Sequence, residues 1–140
     1  MSHYYNSWIF DNAKVYGNAE VFGNAEVYGN AKVFGNVWIY GDAEVYDNAE
    51  VFSNALIYGN AWIYGNAKVF DDAKIYGNTE IFDFAVIRLK NDYICFECVG
   101  SRNDFLTAFK TKDGYLIKVG CFVGTLEEFI KKSQRKTRRN

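Results

Sequence analysis

Histidine is almost missing from this 140-residue chain: His3 is the only one. An imidazole-based acid–base or metal site would have to rest on that residue alone. Cysteine is scarce too, with three residues, two of them spaced as Cys95-x-x-Cys98. An odd number in this arrangement does not read as a secreted disulfide framework, so reduced thiols are expected. In an apparent strand Cys95 and Cys98 would face opposite sides, and the glycine of a chelating knuckle is absent. Cys121 would be a third ligand with no evident fourth, and as a nucleophile it has only Arg102 as a remote helper. The expectation is structural cysteines, no metal site and no catalytic residue. No apolar run reaches 18 residues and no secretory h-region follows Met1. The expected location is therefore the cytoplasm, without membrane insertion.

What the chain has is a six-residue period that runs without a gap from Ile9 to Ile87, fourteen times, approximately as Ala-x-Val-(Tyr/Phe)-Gly-Asn. A small residue stands two positions before each aliphatic one, so in a strand both point to the same side. The position between them is charged in nine of the fourteen units. Unpaired charges cannot fill a narrow interior, so Val, Ile and Ala point inward and the intervening residue points out. The Gly-Asn-like pair suits a tight corner with positive φ. Each unit is one short strand plus one corner, and so short a period predicts a solenoid with one continuous core.

Three such units make an 18-residue triangular coil. In its aliphatic position, its small residue and its turn pair, the segment 1–88 resembles the left-handed β-helix of the hexapeptide-repeat family. The expected fold is an all-β solenoid, a left-handed parallel β-helix of about fourteen hexapeptides, or four to five coils. The handedness is implied by the resemblance. So is a trimer, and so is an acyltransferase as the commonest family activity. Family acyltransferases use a histidine and often a loop that leaves a coil. Here only His3 is available and no unit carries an insertion. Zinc carbonic anhydrases on a similar solenoid need three histidines, which this chain lacks.

The period breaks at Phe84 and Arg88. Segment 89–140 reads as a small α+β cap: strands at 93–99, 105–111 and 115–120, then a helix announced by the Thr125/Glu128 capping box. An open solenoid edge would template aggregation, so a cap is physically required. The module resembles one found after such repeats in uncharacterised bacterial and phage proteins. Residues 1–87 hold 4 Lys/Arg against 11 Asp/Glu, and residues 88–140 hold 12 against 6, about −7 and +6. The basic module is suited to docking on the acidic prism or on an acidic partner. The loop Arg102-Asn103-Asp104 suits either a phosphate or carboxylate clamp or an Asx-type turn with an internal ion pair. The basic tail offers nucleic acid only phosphate contacts.

Thirteen of the fourteen positions after the aliphatic residue are Tyr or Phe. Stacking by 18 residues sorts them into three edges, one holding Phe34, Phe52 and Phe70 in succession. Self-stacking explains part of this pattern, and an interface would explain the rest. The functional expectation is a non-catalytic oligomeric binding protein of bacterial or phage origin, with no cofactor. It would bind through the Phe34, Phe52, Phe70 edge, Trp38, Trp62 and the Arg102–Asp104 loop. Two alternatives stand beside it: an acyltransferase-like enzyme, and a phage inhibitor that presents the acidic prism as a nucleic-acid mimic to a host complex.

Overall fold

The computed structural model describes residues 2–3, 8–97, 105–119 and 122–137. Arg102, Asn103, Asp104, Cys98 and Cys121 lie outside the described residues. Fifteen two-residue strands, from Ser2–His3 to Val86–Ile87, form three five-stranded parallel sheets, each strand pairing with the one three units later. The first face carries Ser2–His3, Glu20–Val21, Trp38–Ile39, Leu56–Ile57 and Lys74–Ile75. On the second stand Trp8–Ile9, Glu26–Val27, Glu44–Val45, Trp62–Ile63 and Glu80–Ile81. The third holds Lys14–Val15, Lys32–Val33, Glu50–Val51, Lys68–Val69 and Val86–Ile87. The result is a triangular solenoid with an 18-residue coil, as the six-residue period requires. Its pairing starts earlier than the aliphatic period, because the backbone of Ser2–His3 pairs in register with Glu20–Val21.

Inside, the aliphatic column and the alanines form one cluster, with every core aliphatic from Val21 to Ile87 at 0% exposure. Outside, the intervening residues are exposed or half-buried, which is the phase read from the charges. At each corner from position 11 to 83 the first residue of the turn pair has positive φ, whether glycine, aspartate or serine. At two of the four aspartates in this conformation the carboxylate recovers a backbone bond across the coils. Asp11 Oδ2 accepts the Gly29 N–H at 3.2 Å, and Asp47 Oδ2 accepts the Gly65 N–H at 3.1 Å. The second corner residue builds side-chain amide ladders, such as Asn12 to Asn30 to Asn48 at 3.3 and 3.4 Å.

The outward aromatics stack ring on ring along each edge. Phe10, Tyr28, Tyr46, Tyr64 and Phe82 form one column, with centroids 4.9 to 5.2 Å apart. Each column is closed by a residue at or beyond the end of the repeat. Phe109, fully buried, meets Phe82 edge-on at 5.1 Å. Tyr93 meets Tyr76 edge-on and its hydroxyl accepts the Tyr76 N–H at 3.2 Å. Arg88 stands where the period calls for an aromatic; it lies over Phe70 at 5.7 Å and pairs with Asp71 at 2.8 Å.

The cap is a four-stranded antiparallel sheet in the order Tyr93–Glu97, Phe105–Thr111, Gly114–Val119, Phe122–Thr125, followed by helix α1 (Leu126–Thr137). The strand Phe122–Thr125 was not expected; its Phe-Val-Gly-Thr run is too short to announce a strand alone. The capping box is as read: Glu128 Oε1 accepts the Thr125 N–H at 2.8 Å, and Thr125 Oγ1 accepts the Glu128 N–H at 3.2 Å. Phe105–Thr111 reaches the last coil through a bridge between Thr111 and Ala85. Lys118 also pairs with Glu80 at 3.6 Å, so opposite charges join cap and prism.

Candidate functional site

Outward residues on one face are brought into a row by the 18-residue coil. The second face presents Trp8, Glu26, Glu44, Trp62 and Glu80. The third presents Lys14, Lys32, Glu50, Lys68 and Val86. One face is therefore acidic with two tryptophans and the adjacent face is mainly basic. The first face, with Glu20, Trp38, Leu56 and Lys74, has no dominant charge.

The acidic face holds a groove of about 480 Å³ lined by Asp42, Glu44, Asn60, Trp62, Asn78 and Glu80. Glu44 and Glu80 occupy the coils on either side of Trp62, and the three Asx residues come from the neighbouring corner. The indole is 41% exposed, so its ring is open to a partner. Both carboxylates are held in place: Tyr28 donates its hydroxyl to Glu44 Oε1 and Tyr64 to Glu80 Oε1, each at 2.8 Å. Burial in the stacked column, reinforced by these bonds, pushes the phenols of Tyr28 and Tyr64 well above their ordinary value. Burial with nearby carboxylates pushes Tyr46 up to about 12. These phenols thus remain protonated donors at neutral pH and offer no base. Carboxylates around an open indole can hold an ammonium or guanidinium by charge and by the ring face together.

A second cavity, of about 520 Å³, follows the seam between solenoid and cap, with Phe84, Tyr115 and Leu126 among its walls. Phe84 stands where the ladder would place asparagine, and Lys112 Nζ lies 5.7 Å over its ring.

The expected site residues are distributed rather than gathered. Trp38 lies on the first face, edge-on to Phe22 at 6.2 Å, and Trp62 lies on the second. Phe34, Phe52 and Phe70 form a half-buried stack on the edge after the third face, with spacings of 5.0 and 4.8 Å. Their contacts with one another, and Arg88 over the last ring, use much of the surface that an interface was invoked to explain. Asp42, Glu44 and Glu80 were missed as site residues. The 18-residue spacing of the outward position carries the signal for Glu44 and Glu80, whereas Asp42 belongs to a corner and joins them only in the folded groove.

Together these features define the class: a capped parallel β-solenoid with chemically distinct outer faces. No family model, curated protein or solved structure matches the chain.

Proposed function

We propose that this protein is a non-catalytic, self-associating binding protein whose working surfaces are the outer faces and aromatic edges of its solenoid. The observation that supports this reading best is the groove at Trp62. There an open indole is flanked by carboxylates that tyrosine hydroxyls hold in place, an arrangement suited to cationic side chains. Its ionisable groups serve as fixed hydrogen-bond partners, with protonated phenols as donors and carboxylates as acceptors. That is the chemistry of recognition rather than of turnover. The resemblance to hexapeptide-repeat proteins adds an oligomer, with a trimer as its usual order; the C-terminal module's resemblance adds a bacterial or phage origin, and the sequence pattern near Met1 a cytoplasmic setting.

The nucleic-acid mimic reading draws on the −7 balance of residues 1–87, but Lys14, Lys32 and Lys68 set a row of positive charge on the third face and so weaken it. Light scattering at low salt, from tens of micromolar up to about 200 µM, tests the main reading, together with an assay for acetyl-CoA consumption. An oligomer without turnover supports it. A strict monomer, or CoA release, overturns it.

A further inference from the structure

The rows on the second and third faces are complementary to each other in one particular register. In coil order the third face reads Lys14, Lys32, Glu50, Lys68, and the second face reads Trp8, Glu26, Glu44, Trp62, Glu80. With two copies side by side, axes parallel and shifted by one coil, Lys14 meets Glu26, Lys32 meets Glu44 and Lys68 meets Glu80. Glu50 then meets Trp62 and no carboxylate. Without the shift Glu50 would face Glu44, and antiparallel docking in its best register gives two Lys–Glu pairs rather than three.

A second observation concerns cost within the chain. Lys14 pairs directly with Lys32, and Glu26 with Glu44, on neighbouring rungs of the same sheets. Like charges placed directly opposite destabilise a sheet. Among the described residues, Lys14, Lys32 and Lys68 are exposed and make no ion pair. Glu50 stands in register between Lys32 and Lys68 on its own face and offsets part of this cost; the Lys14–Lys32 and Glu26–Glu44 repulsions remain, and a facing row of opposite charge relieves them.

From this complementarity we infer that the acidic second face binds the basic third face of another copy of the chain, offset by one coil, so that the carboxylates of the Trp62 groove, Glu44 and Glu80, take its neighbour's Lys32 and Lys68, with Glu50 left between the two lysines opposite the indole. The inference rests on the self-associating reading above and specifies its interface. The contact is heterologous, and an offset of one coil at every contact accumulates, so the assembly grows as an open series instead of closing as the trimer that the resemblance implies. A face of roughly 20 Å by 20 Å is about 400 Å² per partner, half the area of a standard interface, so the association is weak and salt-sensitive. Glu80 already holds Lys118, which makes Lys68–Glu80 the weakest of the three pairs.

The test is sedimentation velocity on the full chain at about 200 µM, in about 20 mM and about 300 mM salt. Expected is a concentration-dependent series at low salt that dissociates at high salt. Lys32→Glu and Glu44→Lys should each weaken association about tenfold. The double variant Lys32→Glu/Glu44→Lys should restore it, whereas Lys32→Glu/Glu26→Lys, which matches the unshifted register, should not. Circular dichroism melting establishes that each variant is folded, and Lys14→Glu/Glu26→Lys replaces the first pair if Glu44→Lys fails to fold because it loses the Tyr28 bond. A discrete trimer unaffected by the reversals overturns this interface and leaves the oligomeric reading intact. A monomer at low salt overturns both.

Discussion

Replacing Ile57 by alanine tests the core phase most directly. Ile57 is fully buried in a central coil and stacks in register between Ile39 and Ile75. The substitution removes three buried carbons, worth about 2.4 kcal/mol at ~0.8 kcal/mol each. The gap between two isoleucines in a closed triangular interior cannot collapse fully, which raises the loss to as much as about 5 kcal/mol. At about 3 °C per kcal/mol for a chain of this size, the midpoint should fall by about 7 to 15 °C. The control is Glu50→Gln, on the outward side of the third face, where the change should stay within about 0.5 kcal/mol. Thermal and urea unfolding, followed by circular dichroism, read both. Equal midpoints would refute the assignment of inside and outside.

At the corners, Gly65→Ala and Gly77→Ala impose the same left-handed conformation on alanine, but a Cβ at 65 lies 2.7 Å from the Asp83 nitrogen and one at 77 meets nothing within 4 Å. Gly77→Ala should lose about 1 to 2 kcal/mol and Gly65→Ala clearly more; equal denaturation midpoints would discount the contact. Tyr46 is raised from 10.0 to about 12, and Tyr28 and Tyr64 are also raised, so the fold favours the protonated phenols. The stabilisation from Tyr46 is complete below pH 10 and is lost as pH rises from 10 through 12, and that from Tyr28 and Tyr64 is lost at higher pH still. A tyrosinate absorbance titration of the folded protein should therefore show a late-ionising group, and a single step near 10 for all tyrosines would contradict it. No acetyl-CoA turnover is expected, and His3→Ala should leave self-association unchanged; CoA release that disappears in His3→Ala would argue for an enzyme.

The solenoid was legible because its signal is redundant: fourteen aliphatic positions, each with a small partner, leave one phase in which the charges stay outside. The Thr125/Glu128 box was legible because its two side chains bond only to nearby backbone. Longer-range features were hidden. Phe122–Thr125 becomes a strand by pairing with Gly114–Val119, which no local pattern announces. Ser2–His3 joins the first face although serine and histidine do not follow the aliphatic code, because Glu20–Val21 presents a pairing edge. The acidic and basic faces were hidden for a different reason. Read along the chain, the outward position is an unordered mixture of Lys, Glu and Trp, and it separates by sign only when counted in whole coils.

The charged rows also constrain how such a chain can change length. Duplicating 18 residues adds one storey and returns every later side chain to its own face. Duplicating six residues preserves the local code equally well but rotates everything downstream by one face. Glutamates then join the lysine row, while the cap, which touches the last coil, rotates with that coil. Growth that keeps the faces distinct is therefore quantised in threes of the smallest repeat, a rule enforced by the surface rows rather than by the interior or the cap, which would accept either insertion.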